Sequence, residues 1–138
     1  MYRPRVLLAD DHAQTAELLR MLLRTDFDVV ALVEDGGALV SAAEQFSPDA
    51  IVADISMPTF DGIEAAALIC RRDPAARIVL VTVHAERMLV DRGLAAGAMG
   101  YVLKDSAGDE LVAAVHAVIA GERYVSCALG GLDGTRRG

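Results

Sequence analysis

The sequence has no tryptophan, and aromatic residues make up only 4 % of it, so a core must be filled with Ala, Val, Leu and Ile. Cysteine is nearly as scarce. Cys70 and Cys127 stand far apart and match no metal-ligand spacing, which excludes a thiolate metal site and favours two inert small hydrophobes in a reducing compartment. No apolar run approaches the roughly 20 residues of a membrane span. Met1-Tyr2-Arg3-Pro4 leads straight into a predicted strand with no signal peptide, so a cytoplasmic protein without membrane contact is expected. Basic charge is in deficit, with 13 Lys and Arg against 20 Asp and Glu and a net charge of −7. Such a surface is repelled by a phosphate backbone, which argues against nucleic acid as a direct partner of these residues. Lysine itself is almost missing. Lys104 is the sole one and every other basic residue is arginine, which suggests that a compact ammonium is wanted at position 104, with codon bias as the bland alternative.

What is present is one domain of 138 residues, 54 % hydrophobic, large enough for a sizeable core. Apolar runs of strand length alternate with stretches of helical periodicity. Strands are predicted over Arg5 to Ala9, Asp28 to Val33, Ala50 to Ala53, Arg77 to Val83 and Tyr101 to Leu103. Helices are predicted over about Ala13 to Arg24, from the Asp35-Gly36-Gly37 turn to Ser47-Pro48, from Ile63 to Arg71-Arg72, over about Glu86 to Ala95 and over about Ala107 to Ala120. In the first helix, Leu18, Leu19, Leu22 and Leu23 form the apolar stripe. Five βα units with short connections imply a flavodoxin-like doubly wound parallel sheet in the order 2-1-3-4-5, covered by helices on both faces. The folded domain should span residues 1–122. Residues 123–138, with glycine-rich Leu129 to Gly134, read as a tail or the start of a linker.

In this topology ligands bind outside the carboxyl ends of the strands. Asp10-Asp11 follows the first strand and Asp54 ends the third, so three carboxylates converge at one edge, with Thr82 and Lys104 arriving from the fourth and fifth strands. Carboxylates so placed repel each other unless a cation intervenes, and a hard oxygen-liking ion such as Mg²⁺ is the natural one. Three carboxylates and one ammonium leave two net negative charges, which one divalent ion cancels. Asp54 then has the setting of a nucleophile toward an activated phosphoryl group, with Lys104 as a point charge and Thr82 as a hydroxyl donor.

The motifs Ala9-Asp10-Asp11-His12, Asp54-Ile55-Ser56-Met57-Pro58, Asp61-Gly62, Thr82 and Gly97-Ala98-Met99-Gly100-Tyr101-Val102-Leu103-Lys104 occur in the order found in the receiver domain of bacterial two-component response regulators. The resemblance covers about Arg5 to Ala120. Asp-Asp-His, Gly-Tyr-Val-Leu-Lys-Asp and Gly-Glu-Arg-Tyr-Val-Ser are most similar to the NarL/FixJ (LuxR-type) branch. It implies a phosphoacceptor, Asp54, served by a sensor histidine kinase. It implies Mg²⁺ held by Asp11, Asp54 and the Ser56 backbone carbonyl, with Asp10 acting mostly through water. Thr82 and Lys104 would bind the phosphoryl group, and Tyr101 would report the state by turning inward. A phosphorylation-dependent homodimer is a further implication. DNA would be reached only through a C-terminal helix-turn-helix domain, which these 138 residues do not contain. Such a domain catalyses only its own phosphorylation and slow dephosphorylation. Asp105 stands where many receivers outside this branch have proline, so the isomer of the peptide bond after Lys104 is not dictated.

Competing readings are weaker. A haloacid-dehalogenase-type phosphatase needs an acid two residues after its nucleophile, and Ser56 stands there. A flavin carrier needs a phosphate loop free of charges, which Asp10-Asp11 is not. Asp11 with Gln14 resembles a capping box, but beside Asp10 and Asp54 the metal role is preferred. His12, His84 and His116 are too dispersed for a metal site. His84 is either at the pocket rim or solvated, and His116 lies off the apolar stripe and reads as surface.

Overall fold

A computed structural model describes residues 3–126. Cys127 and the glycine-rich stretch after it lie outside the described residues. Five strands and five helices alternate: β1 (Arg5–Ala9), α1 (Ala13–Leu23), β2 (Asp28–Val33), α2 (Gly36–Phe46), β3 (Ala50–Asp54), α3 (Gly62–Arg72), β4 (Ile78–Thr82), α4 (Arg87–Ala95), β5 (Gly100–Leu103) and α5 (Ala107–Ile119). All strand pairs are parallel, in the order β2-β1-β3-β4-β5, with a sixth strand beside β5. The fold is the flavodoxin-like one expected. The sixth strand, β6 (Tyr124–Val125), is the departure: it pairs with Gly100 and Tyr101 of β5 and carries the sheet past residue 122.

The central strands are buried on both faces because their side chains alternate between two aliphatic layers. Leu7, Ala9, Ile51, Ala53, Ile78 and Leu80 point toward α2, α3 and α4, where Leu39, Ile63, Ile69 and Val90 meet them. Val6, Leu8, Val52, Val79 and Val81 point toward α1 and α5, against Leu19, Leu23, Leu111, Val115 and Val118. In α1 the stripe is narrower than expected. Leu19 and Leu23 are buried, but Leu18 is 61 % exposed and Met21 joins it at the surface.

The preponderance of arginine has a structural use at the amino edge of the sheet. Helix carbonyls end there without intrahelical partners, and arginine side chains take them. Arg3 donates to the carbonyls of Arg24 and Phe27 beyond α1. Arg5 donates to Phe46 O at 2.6 Å and Ser47 O at 3.3 Å, closing α2. Arg77 donates to Val118 O at 2.7 Å near the end of α5. A forked guanidinium can serve two carbonyls at once, and its charge suits the negative end of a helix dipole.

His116 is exposed, as expected, but it is not without partners. Its Nε2 lies 2.7 Å from Asp26 Oδ2 and its ring packs tilted on Phe27 at 4.6 Å, which ties α5 to the turn between α1 and β2.

Candidate functional site

The carboxyl edge of the sheet is where the strands deliver their polar ends. Asp10 follows Ala9, which is in register with Ala53, and Asp54 follows Ala53. Asp54 is in turn in register with Val81, and Thr82 with Leu103. Asp10, Asp54, Thr82 and Lys104 therefore reach one edge because four neighbouring strands stop at the same level.

Asp54 is buried, with each carboxylate oxygen engaged. Oδ1 accepts the Ser56 N–H at 3.2 Å and Oδ2 accepts from Lys104 Nζ at 3.0 Å. Burial pushes its pKa above the usual carboxylate value, and the Lys104 ammonium opposes that without cancelling it. Asp10 is buried as well. Its Oδ1 accepts the His12 N–H at 2.8 Å, while Oδ2 lies 3.5 Å from Lys104 Nζ and makes no hydrogen bond. A buried carboxylate oxygen without a hydrogen bond costs of the order of 1–3 kcal/mol or more, and the Lys104 ammonium, shared with Asp54, is the only cation facing Asp10 Oδ2 among the described residues, so a further cation would fit here. Asp11 is exposed beside it. Ligand atoms of Asp10, Asp11, His12 and Asp54 all lie within 4.8 Å of one another.

α1 is capped at His12, with no side-chain cap hydrogen bond, so the capping reading of Asp11, already set aside, does not hold. One expectation about this cluster changes. His12 is not dispersed from the site but part of it, with Nδ1 3.0 Å from Asp11 Oδ1. Its place directly after the acidic pair was the available signal.

The loop after Asp54 is held by close backbone approach. Gly62 N–H donates to Ile55 O at 2.7 Å, and a Cβ on Gly62 would lie 2.4 Å from Asp54 O. Gly36 N–H donates to Pro58 O at 3.2 Å, and a Cβ there would meet Phe60 O at 2.2 Å. Glycine is required at both positions for space. Asp61 and Glu64 form a reciprocal capping box that starts α3. Thr59, β-branched, is held at φ 71°, a conformation that costs about 1–3 kcal/mol.

Thr82 is buried at the end of β4, where its Oγ1 accepts the His84 N–H at 3.1 Å. The Tyr101 hydroxyl reaches the carbonyl of the same His84 at 3.4 Å. The Tyr101 ring is already inward and fully buried, and its phenol pKa is pushed up to about 12, chiefly by that burial. His84 itself is exposed; its backbone, not its ring, links Thr82 to Tyr101. Among the described residues no peptide bond is cis, the one after Lys104 included. Lys104–Ser106 form a 3₁₀ turn into α5.

A family model described as the response regulator receiver domain matches residues 6–116. The chain belongs to the response regulator receiver family. This receiver domain is 34 % identical over 123 residues to the transcriptional regulatory protein DegU of Brevibacillus brevis, covering 88 % of this chain and 52 % of that protein. It thus spans about half the length of the curated relatives it matches. A LuxR-family two-component response regulator from Aurantimonas sp. SI85-9A1 is similar in structure, with a TM-score of 0.90, 36 % identity and 95 % of each chain covered. The signal receiver domain of the putative response regulator NarL from Mycobacterium tuberculosis superposes with a TM-score of 0.85 at 31 % identity, covering 88 % of this chain and 100 % of that one. The receiver domain is therefore part of a two-component system, of the branch whose members include transcriptional regulators. Among the described residues no helix is long and apolar enough to cross a membrane.

Proposed function

We propose that Asp54 takes a phosphoryl group from the phosphohistidine of a sensor kinase, or from a small phosphodonor, and that the domain then switches conformation to control transcription. The observation that carries this reading is the ammonium of Lys104 shared between Asp54 Oδ2 at 3.0 Å and the unbonded Asp10 Oδ2 at 3.5 Å. Those buried carboxylates, with Asp11 beside them, fit a divalent oxygen-liking ion. Asp10, Asp11, Asp54 and the Ser56 backbone carbonyl would hold Mg²⁺, Asp10 largely through water. When bound, the ion supplies the charge that lets phosphoryl oxygens approach three carboxylates.

The rest is done by the chain. One Asp54 oxygen attacks phosphorus in line as the P–N bond to the donor imidazole breaks, forming a P–O bond. Lys104 exchanges its contact with the Asp54 carboxylate for a phosphoryl oxygen, and the Thr82 hydroxyl donates to another. When Thr82 turns toward the phosphoryl group, its Oγ1 gives up the His84 N–H, and the carbonyl on that same residue is the acceptor for Tyr101. The switch is thus wired through one backbone unit to the start of α4. Only Val90 and Gly93 of α4 are buried, so it is the helix most easily repositioned. Exposed Val83 and Met88 beside it, or Leu18 and Met21 on α1, offer surfaces for a phosphorylation-dependent homodimer. Control of DNA belongs to the full-length relatives and is proposed for this protein on their account.

Titrating Mg²⁺ into the protein and following amide resonances tests the cation reading. Shifts centred on Asp11, Asp54 and Ser56 are expected at concentrations of about 0.1–1 mM or above, the range of weak oxygen-ligand sites. Spectra unchanged there would refute it.

A further inference from the structure

We propose that His12 is a fourth donor to the cation site and makes it prefer nitrogen-liking divalent ions, of the cobalt, nickel and zinc class, over Mg²⁺. This rests on the cation reading given above and adds a specificity determinant to it. The imidazole is delivered by its backbone. His12 is the N-cap of α1 and its backbone N–H donates to Asp10 Oδ1 at 2.8 Å, so the residue that carries the ring is tethered to one of the ligands themselves. Its Nδ1 stands 3.0 Å from Asp11 Oδ1 and 3.8 Å from Asp10 Oδ1. Two donors on one ion, each about 2.0–2.2 Å away, are separated by at most about 4.4 Å. The four donor atoms already lie within 4.8 Å of one another, the His12 distances to Asp10 and Asp11 fall inside that limit, and the His12 side chain is 68 % exposed and able to adjust. Beside them Asp10 Oδ2 is buried without a hydrogen bond, with only the shared Lys104 ammonium 3.5 Å away, which leaves charge in the cluster for a cation to meet.

The chemistry then differs from that of an all-oxygen site. Mg²⁺ dehydrates reluctantly and is served by carboxylates and water, with little to gain from an imidazole. Ions later in the first transition row gain steadily from a nitrogen donor. The competing explanation is an exposed His12–Asp11 ion pair, which at this exposure is worth little and implies no metal selectivity.

The test uses the 138-residue chain stripped of metal, at one fixed pH. Co²⁺ is titrated by its visible absorption, Mg²⁺ affinity is read by competition, and paramagnetic broadening of NMR signals locates the bound ion. The wild type should hold Co²⁺ at least about tenfold more tightly than Mg²⁺, with broadening centred on residues 10–12. His12→Ala should weaken Co²⁺ by about tenfold or more, the low end of what losing even an outer-sphere partner costs, and leave Mg²⁺ unchanged. His12→Asn should do the same while keeping a favourable N-cap, so that loss of helix cannot account for the effect. Unchanged Co²⁺ affinity in both variants, or broadening centred on His84 or His116, overturns the role of His12 while leaving the Mg²⁺ site standing. If neither ion binds near Asp11 and Asp54, the underlying cation reading falls with it.

Discussion

Asp54 is a buried carboxylate with one oxygen on a backbone N–H and the other on the chain's single lysine, and its raised pKa says that burial outweighs both contacts. The sign of its effect on stability follows. A carboxyl whose folded pKa lies above its unfolded value of about 3.9 is no burden below that value. It costs stability increasingly as pH rises through the folded pKa. Asp54→Asn should therefore stabilise the metal-free protein against urea at pH 7, and the gain should shrink as pH falls toward 4. A variant less stable than wild type at pH 7 would show that the Lys104 contact dominates. Much of this residue-level picture was legible beforehand, because a polar residue ending a buried apolar run has few places to be. Asp10, Asp54, Thr82 and Lys104 all end such runs. His12 was overlooked as part of the cluster although it directly follows Asp10-Asp11, because what fixes it there, the Asp10 side chain binding its backbone N–H, has no periodicity to betray it. The contacts of exposed His116 were not legible for a similar reason: its partners, Asp26 and Phe27, are 90 and 89 positions earlier in the chain.

Among the elements, the parallel strands and the helices that cover them were the most readable, because hydrophobic runs and the 2-versus-3.6 periodicity fix both their type and their faces. The short β6 was not. Two strand residues after Gly121 carry no alternation, and what places them is a set of contacts made across the sheet. Ser126 N–H donates to Tyr101 O at 2.9 Å. The Ser126 hydroxyl, fully buried, accepts the Leu103 N–H at 3.0 Å and donates to Glu110 Oε1 at 2.6 Å. This joins the exit of the domain to β5 and α5 just beside Lys104. Ser126→Ala removes the acceptor for the Leu103 N–H and should cost about 1–3 kcal/mol in urea denaturation. A loss under about 0.5 kcal/mol, the lower end for a net hydrogen bond, would mean that β6 frays without consequence. The exposed Leu18 is the opposite error. Helical spacing alone placed it in the core, but α1 meets the sheet along a stripe of buried Ala16, Leu19 and Leu23 with half-buried Leu22 beside them.

For the molecule as a whole, one sheet brings buried acids, a lone ammonium and a hydroxyl to a single edge, and a link through the His84 backbone runs from that edge to Tyr101. The order of the sheet was foreseeable from five βα units and right-handed crossovers. What the outer surfaces do was not, because exposed Leu18, Met21, Val83 and Met88 acquire meaning only once their neighbours are known. Static light scattering on the free protein and on its beryllofluoride complex with Mg²⁺ addresses that scale. A shift from monomer to dimer on adding the phosphoryl mimic is expected, and a monomer in both conditions at high concentration would rule out self-association as output. The central claim, that Asp54 is the phosphoacceptor of a cation-dependent site, is tested most directly by intact-mass analysis after incubation with acetyl phosphate. The wild type should gain the mass of one phosphoryl group when Mg²⁺ is present, lose that gain when the metal is chelated, and show none in Asp54→Asn. Full labelling of Asp54→Asn under the same conditions would contradict the account.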